Sequence, residues 1–595
     1  MTRSAALAVL LSAVAGLAFG AALRRFGPAP IASIAAGSED AFFHEGLYER
    51  ELPPGGEGPI RWTGRAASLR FEDLPEGPVA IEVRLRSNAA PVLVAVNGQV
   101  RGAIDPSGPR AVLEAAVPRG GRITVELRTE TMQRGERHLG ALLGFVRVTP
   151  LRPSAAPGAL GLRLGAAAGL AAAAALAAGL GALPGAAVGG GTALLAAMAL
   201  WPHGLGCSAY SGRLPWLLAL AVAFAALGAR LALRRAPSGS GVAGVVLASL
   251  AVAFGVNGVA ATSPVMVASD VVFHAHVLRD VAGGDWFPTS VTQHARPFRI
   301  PYGSAFYALL APLARWGQDP VALVRAGAGL GGCLAAVALL WLLLPLGASR
   351  AALAVLLLQV LPGSFDVYSA GNLSNAFGQS ATLMFLAWWS GGTPLGAALG
   401  GALLALAALS HLSSAIVLVP VVAALLMARR GRPGRARALA LLVGLAAAAW
   451  YYGHYAGLVL EQAPRLLEGG GQGRGGVVGF TGVLAHQAFA MLRDFGVPVL
   501  ALLPFARYTG GAEVERDVRA YACGALAPML PALVSPVAVR YLLALGPAVA
   551  CLAAEGACRL RARGGGGRLA VAALLLAQAG LAAASLVNGI VFRYR

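Results

Sequence analysis

The sequence contains no lysine and few charged residues of any kind. All 47 basic residues are arginines, and charged residues make up only 12% of the 595 positions. Soluble domains carry roughly 25% charged residues, so this composition argues against a soluble globular protein. Hydrophobic residues make up 57% of the chain and the mean hydropathy is +0.68. Together these features predict a membrane protein.

Cysteine is also scarce, and no two cysteines form a CxxC pair. The five residues lie in or next to apolar runs, at Cys207, Cys333, Cys523, Cys551 and Cys558. This spacing argues against a disulfide framework or a cysteine metal site. Without lysine the chain has no GxxxxGK[ST] phosphate-binding loop, which excludes that class of nucleotide-binding protein.

The net charge of +20 has an explanation in topology. Many of the arginines lie in short segments between apolar runs, where positive charge orients a membrane protein. We therefore predict the lipid bilayer as a partner and no nucleic acid.

The N-terminal quarter differs in composition from the rest of the chain. Residues 1–27 contain one apolar segment, 5–23, which is either a transmembrane helix or a signal-like segment. Residues 28–153 are polar and alternate with a period of two, as β-strands do. Asn97-Gly98 predicts a tight hairpin, since both residues tolerate positive φ. We predict an all-β sandwich, which resembles jelly-roll modules that bind carbohydrate or dock on membrane enzymes.

Residues 154–595 carry repeated apolar runs, among them 350–364 and 488–506. With the N-terminal segment they predict about 14 or 15 transmembrane helices. Three arginine clusters, at 230–235, 429–437 and 559–568, then fall on one side, which the positive-inside rule places in the cytoplasm. The long loop 263–320 lies on the outer side with the β domain. In a bacterium this is the periplasmic face of the inner membrane.

The outer loop opens with SDVVFHAHVLRDVAGG, residues 269–284. This segment predicts a helix with Ser269 or Asp270 as N-cap and with Gly283-Gly284 at its end. One face of that helix combines an acid, an aromatic residue, a histidine and an aliphatic residue: Asp270, Phe273, His274 and Val277. Asp270 is therefore either a capping residue or a functional acid.

The same segment contains a second histidine, His276. The spacing of Asp270, His274 and His276 does not bring three ligands to one helical face, so we predict no metal site here. No cofactor is required by the sequence, and a dependence on a divalent cation stays open.

Several motifs resemble the GT-C superfamily of polytopic membrane glycosyltransferases. Asp270 stands in the place of the loop acid and Phe273-His274 in that of an aromatic-His step. GGDWFP and PYGSAFYALLAPL follow, and ALAALSHLSS, with His411, resembles a later helix start. The order Ile300-Pro301-Tyr302-Gly303 departs from the usual Tyr-Pro-Pro-Gly, and no second acid stands beside Asp270.

This resemblance implies a GT-C-like helical fold over 154–595. It also implies a hexosyl or pentosyl transferase that uses a polyprenyl-phosphate-linked sugar. The acceptor would be a periplasmic glycan, lipid or protein in envelope glycan or glycoconjugate synthesis.

Chemistry assigns roles to individual residues. A carboxylate at the membrane boundary can take the proton of an acceptor hydroxyl, so Asp270 is the predicted catalytic residue. An arginine fork matches phosphate, although an arginine near a span end also reaches the interface without any ligand. The predicted substrate-binding residues are His274, His276, Asp285, Arg296, Arg299, Tyr302 and Arg540. Arg493 is a further outer-facing candidate, and His274 has a plain hydrogen-bonding role as its alternative.

The alternative function is a non-catalytic transporter or scaffold of lipid-linked glycans with a degenerate GT-C fold. A transporter would need ionisable residues or broken helices near the middle of the membrane. The polar residues gather instead in the predicted outer loops, which favours the transferase.

Overall fold

A computed structural model of the protein describes most of the chain. The described residues are 2–26, 32–35, 44–51, 60–71, 74, 76–134, 137–151, 159–200, 208–233, 240–262, 270–291, 299–316, 320–369, 371–391, 396–429, 434–469, 477–507, 512–528 and 539–587. They form an N-terminal β domain and a helical body.

The β domain is built on one antiparallel sheet. Its described strands are β1 (Ala32–Ala35), β2 (His44–Glu51), β3 (Ile60–Phe71), β4 (Gly77–Ser87), β5 (Val92–Val96), β6 (Gln99–Ile104), β7 (Arg110–Val117), β8 (Ile123–Arg128), β9 (Met132–Arg134), β10 (Arg137–Leu139) and β11 (Leu142–Pro150). Nine of them pair along the path β6-β5-β8-β3-β11-β4-β7, with β1 on β11 and β2 on β3.

Alternating side chains of this sheet form its core, as the period of two predicts. In β4, Val79, Ile81, Val83 and Leu85 are buried. The sheet curls until its end strands meet, where Gly102 of β6 faces Leu113 of β7. The predicted all-β domain is confirmed, and its sheet is a nearly closed barrel or sandwich.

The hairpin predicted from Asn97-Gly98 joins β5 and β6. Asn97 has φ 50° and Gly98 has φ 81°, and Val96 pairs with Gln99 across the turn. Asn97 also accepts a hydrogen bond on its side-chain oxygen from the amide of Thr124, at 2.8 Å.

Helices make up most of the rest of the described structure. They are α1 (Arg3–Phe26), α2 (Ala159–Ala177), α3 (Ala182–Leu200), α4 (Ser208–Leu233), α5 (Ser240–Thr262), α6 (Val271–Gly283), α7 (Ala305–Arg315), α8 (Pro320–Leu343), α9 (Ala348–Gln359), α10 (Pro362–Ser369), α11 (Leu373–Gly391), α12 (Ala397–Ser410), α13 (Leu412–Ala428), α14 (Arg435–Gly453), α15 (Ala456–Gly469), α16 (Val477–Phe495), α17 (Val497–Leu500), α18 (Glu513–Leu526), α19 (Val539–Arg561) and α20 (Gly565–Val587). Two short strands, β12 (Thr289–Val291) and β13 (Arg299–Pro301), pair between α6 and α7.

Six described helical stretches are long and apolar enough to cross a membrane: Arg3–Leu23, Leu160–Ala177, Pro320–Leu346, Arg435–Gly453, Leu543–Arg561 and Gly565–Ser585. A seventh results if Ala488–Phe495 and Val497–Phe505, bent by 97°, form one broken span. Shorter apolar helices accompany them. Several apolar helices are thus present, as in a multi-pass membrane protein, while the higher predicted number stays a prediction.

Two apolar runs that we predicted as single spans are interrupted. In 350–364, α9 ends at Gln359 and α10 begins at Pro362, since proline lacks the amide hydrogen that would continue the helix. In 488–506 the break falls at Gly496, with φ 84°. A left-handed glycine ends a helix readily.

α1 and α2, which flank the β domain in the chain, pack closely against each other. A Cβ atom on Gly16 would lie 2.5 Å from the carbonyl oxygen of Leu164, and Gly20 meets the backbone of Gly161 in the same way. Ser12 of α1 donates a hydrogen bond to the carbonyl of Ala186 in α3, at 3.3 Å. The N-terminal helix is therefore an integral part of the helical body.

The helical body has two polar ends, which α11 and α13 connect. At one end lie Ser374 and His411, in the first turn of α11 and at the N-cap of α13. At the other end, Ser390 and Arg429 both bind the buried carboxylate of Asp517, at 2.8 and 2.7 Å. The 19 residues of α11 separate the two ends by about 28 Å.

The β domain lies at the first of these two ends. Its strand β2 contacts α6, and His274 of α6 binds the turn before α11. The predicted outer loop and the β domain are thus neighbours in space.

Candidate functional site

The helix predicted in the outer loop is α6, and its bounds agree with the prediction. Asp270 is the N-cap residue, and Gly284 closes the C-terminus with φ 110°. The carboxylate of Asp270 makes no capping hydrogen bond, and the residue is exposed. Capping therefore does not account for the acid at this position.

His274 lies one turn into α6 and is only 2% exposed. Its Nε2 is 2.5 Å from the carbonyl oxygen of Gly371, and its Nδ1 is 2.5 Å from the hydroxyl of Tyr307. Because a carbonyl only accepts, Nε2 carries the proton, and in the neutral ring Nδ1 accepts from Tyr307. Burial lowers the pKa of His274 to about 4, against the opposing effect of the Gly371 hydrogen bond. The ring is neutral near pH 7.

The turn between α10 and α11 packs against Asp270. Gly371 has φ 70°, and its carbonyl also accepts a hydrogen bond from the amide of Leu373, at 2.8 Å. A Cβ atom on Gly371 would lie 2.5 Å from the amide nitrogen of Asp270. Only glycine fits this contact and this backbone conformation without strain.

Tyr302 is the centre of the cluster beneath this turn. Its hydroxyl is 3.1 Å from that of Ser374, and its ring makes edge contacts with Phe273 at 5.1 Å and with His411 at 5.6 Å between centroids. Tyr451 donates to the Tyr302 carbonyl at 2.6 Å. The segments that carry the GT-C resemblance therefore meet in space.

Four helices begin around Tyr302. Phe273 belongs to the first turn of α6, and Ser374 to that of α11. His411 is the N-cap of α13, and α7 starts three residues after Tyr302. The N-terminus of a helix carries a partial positive charge of roughly half an elementary charge. The N-terminal amides favour an anion locally, while α12, which ends at Ser410 beside the same cluster, places a C-terminus of opposite charge there.

A group of hydrogen-bonded polar side chains lies between α11 and α13. Asn375 accepts hydrogen bonds on its side-chain oxygen from Ser413 at 2.8 Å and Ser414 at 3.1 Å. His411 accepts on Nδ1 from the amide of Ser413, at 3.1 Å. These bonds fix the first turns of both helices in a buried setting.

Asp285 and Arg299 lie elsewhere in the loop. The 13 residues of α6 place Asp285 roughly 20 Å from Asp270, and its carboxylate accepts from the amide of Phe287 at 3.2 Å. Arg299 is exposed, and Gln462 of α15 clamps its backbone with two hydrogen bonds of 2.8 Å. The structure does not bring Asp285 together with Asp270.

An aromatic cluster holds the far end of the loop. Phe287 stacks on His454 at 3.8 Å, and Tyr455 donates to the Pro288 carbonyl at 2.9 Å. Burial, followed by the hydrogen bond to Tyr451, raises the pKa of Tyr455, so its hydroxyl stays protonated. The break between α14 and α15 is thereby docked against the loop.

The remaining predicted site residues are exposed, paired with another residue or outside the described part of the structure. His276 is exposed on a different face of α6. Arg493 forms an ion pair with the neighbouring Asp494, at 2.6 Å. Arg296 and the side chain of Arg540 lie outside the described part of the structure. Among the described residues, no group of three or more His, Cys, Asp or Glu side chains could hold a metal ion.

Sequence reasoning missed three residues of the cluster. Tyr307 follows in the same motif as Tyr302, and its spacing gave no sign that it reaches α6. Ser374 and Gly371 belong to the polar segment SAGNLSN, whose left-handed glycine is a signal that the sequence does carry.

No protein-family model matches the chain, and no curated protein matches it.

Proposed function

We propose that this chain is a GT-C-type glycosyltransferase of the inner membrane, with about 14 or 15 spans, that uses a polyprenyl-phosphate-linked sugar. One observation carries the proposal. Three segments that resemble GT-C motifs, around Asp270, Tyr302 and His411, are distant in sequence and meet at one polar end of the helical body.

The proposed reaction assigns Asp270 the role of base. The carboxylate accepts the proton of an acceptor hydroxyl as that oxygen forms a bond to the anomeric carbon of the sugar. The bond from the anomeric carbon to the phosphate oxygen breaks, and its electron pair leaves with polyprenyl phosphate. Asp270 is exposed, so an acceptor hydroxyl can approach it for this step.

The leaving phosphate requires positive charge. The four helix N-termini around Tyr302 supply part of it, since such ends favour anions. Arg296, Arg299 and Arg540 remain the proposed guanidinium ligands, with His276 and Tyr302 as further contacts. Asp285 is proposed to contact the acceptor from the other end of α6.

The distribution of charge supports an outward orientation of this end. Arg429 is the C-cap of α13, and Arg435 and Arg437 begin α14, all at the end opposite to Asp270. The positive-inside rule places such arginines in the cytoplasm. Asp270 and the β domain would then face the periplasm, where lipid-linked sugars and periplasmic acceptors are accessible.

A transfer assay with purified protein tests the proposal. A panel of radiolabelled polyprenyl-phosphate sugars is incubated with wild type, Asp270→Asn and Asp285→Asn. We expect transfer by wild type and a loss of about 100-fold or more in Asp270→Asn, with a smaller loss in Asp285→Asn. Transfer that survives in Asp270→Asn would contradict the assignment of Asp270 as the base. Folded wild-type protein that shows no transfer would contradict the proposal that the protein is a glycosyltransferase.

One observation favours the alternative of a lipid-linked glycan transporter. The stretch 488–505 is bent by 97° at Gly496, beside the buried Asp494 and the 1% exposed Gln578. Gln578 donates hydrogen bonds to the carbonyls of Val360 and Phe495, at 2.9 and 3.0 Å. Broken helices with polar partners are typical of transporter sites.

Proteoliposomes distinguish these two functions. A transporter moves a lipid-linked sugar between leaflets and leaves its sugar–phosphate bond intact, whereas a transferase cleaves that bond. Movement without cleavage, lost in Gln578→Leu and kept in Asp270→Asn, would establish the transporter.

A further inference from the structure

Gly371 contacts both His274 and Asp270, although it lies outside α6 and outside the loop 263–320. Gly371 lies in the turn between α10 and α11. Its Cα is so close to Asp270 that a Cβ atom would lie 2.5 Å from the Asp270 amide nitrogen and 3.0 Å from the Asp270 Cβ. The backbone of Gly371 therefore packs directly against Asp270, the N-cap residue of α6.

His274 fixes the position of Gly371. Its Nε2–H donates to the Gly371 carbonyl, at 2.5 Å. Its Nδ1 accepts from Tyr307 of α7, at 2.5 Å. A hydrogen-bonded path thus runs from α7 through the ring of His274 to the turn that touches Asp270.

The ring of His274 has no further capacity to bind a ligand. Both nitrogens are used, and the residue is 2% exposed. A phosphate or sugar hydroxyl could bind His274 only by displacing Tyr307 or Gly371 from a buried position. Such an exchange leaves a buried polar group without its partner, which is costly.

We infer that His274, together with Gly371, is a positioning residue that fixes the place of Asp270 and does not touch the substrate. The catalytic part of this inference rests on the proposed function. A catalytic group that is misplaced by about 1 Å costs roughly 100-fold in rate. The position of Gly371 against Asp270 should therefore affect the rate of transfer.

Four substitutions test the two contacts separately. His274→Phe removes both hydrogen bonds, whereas His274→Gln keeps an amide donor for Gly371 and an oxygen acceptor for Tyr307. Gly371→Ala places a methyl group against Asp270. Tyr307→Phe is the mildest change, since it removes one hydroxyl. Gly283→Ala, where a Cβ meets nothing within 4 Å, is the matched glycine control.

The first measurement is carboxyl footprinting, which requires no enzymatic activity. Full-length protein in detergent is treated with a carbodiimide and an amine, and the rate of modification at Asp270 is divided by that at Asp285. Asp285 is exposed at the other end of α6, and Asp517, which is 0% exposed, reports global unfolding.

We expect this ratio to change by about threefold or more in His274→Phe and Gly371→Ala, as for a local opening. It should stay near the wild-type value in His274→Gln and Gly283→Ala. An unchanged ratio in Gly371→Ala and Tyr307→Phe, with Asp517 still protected, would overturn the inference. If His274→Phe exposes Asp517, these two milder variants decide the question.

The second measurement is the transfer assay. A positioning role predicts a lower kcat in His274→Phe with little change in KM, and recovery in His274→Gln. A raised KM with an unchanged kcat would identify His274 as a substrate ligand and overturn the inference. If wild type shows no transfer, the proposed function fails, while the footprinting ratio still decides whether His274 positions Asp270.

Discussion

The backbone of Gly303 lies directly against that of His411. A Cβ atom on Gly303 would be 2.8 Å from the His411 amide nitrogen and 2.6 Å from the Ser410 carbonyl carbon. This contact joins the start of α7 to the break between α12 and α13. Two sequence motifs that resemble GT-C segments are therefore one packing unit.

Gly303→Ala should destabilise the protein because the added methyl group meets backbone atoms, which cannot rotate away. Overpacking of this kind costs about 1–3 kcal/mol. Thermal unfolding in detergent measures the effect. Gly391→Ala, where the Cβ meets nothing within 4 Å, is the control, and an equal change in both variants would contradict the prediction.

The buried His274 should make stability depend on pH. Its pKa is 6.5 in an ordinary setting and about 4 in the folded protein, so below pH 6.5 the unfolded chain binds a proton that the folded chain refuses. The contribution is absent above pH 6.5 and destabilises progressively as pH falls from 6.5 to 4. The full effect is about 3 kcal/mol at 1.36 kcal/mol for each pH unit.

Unfolding of wild type and His274→Gln at several pH values between 7 and 4 measures this effect. Carboxylates titrate in both proteins, so the difference between the two curves isolates His274. Stability should fall more steeply with acid in wild type, and parallel curves would contradict the prediction.

The mature protein should retain α1. Removal of this helix would expose side chains of α2 that are buried, including Leu164 and Ala168, and would leave Gly161 and Gly165 without their partner. The intact mass of protein purified from membranes measures retention. A mass that lacks the first 20 to 30 residues would identify a cleaved signal sequence.

Removal of Arg429 should be strongly destabilising. Asp517 is 0% exposed and binds Arg429 at 2.7 Å, and an unpaired buried charge costs about 3–5 kcal/mol. We expect Arg429→Met to lower the unfolding temperature and Arg429→Met with Asp517→Leu to recover much of the loss.

The surface pair of the β domain provides the comparison. Glu126 binds Arg128 at 2.6 Å, with side chains 27% and 52% exposed. Glu126→Gln should change stability by only about 0–1 kcal/mol. A loss as large as that of Arg429→Met would show that burial does not set the difference.

The features that could be read from the sequence are local ones. The Asn97-Gly98 hairpin, the alternation in β4 and the bounds of α6 depend on neighbouring residues whose conformational preferences agree. Such elements can be predicted from one sequence because the periodicity and the turn residues that define them lie within about 15 positions of each other.

Contacts between distant segments could not be read in this way. The sequence identified Asp270, His274, Tyr302 and His411, yet nothing in it indicated that Gly371 touches Asp270 or that Tyr307 binds His274. These contacts depend on how α7 and α11 pack. The bend at Gly496 was also missed, because a glycine within an apolar run is compatible with a straight span.

The short connections of the β domain to α1 and α2 raise its effective concentration near the Asp270 end of the helical body. Only five residues separate α1 from β1, and eight separate β11 from α2, so each connection reaches at most about 30 Å. Two such tethers hold the domain over the Asp270 end at an effective concentration of roughly millimolar or above. A glycan bound to the β domain would thus be held near Asp270 for as long as it stays bound, without a tight docking interface between the domain and the helical body.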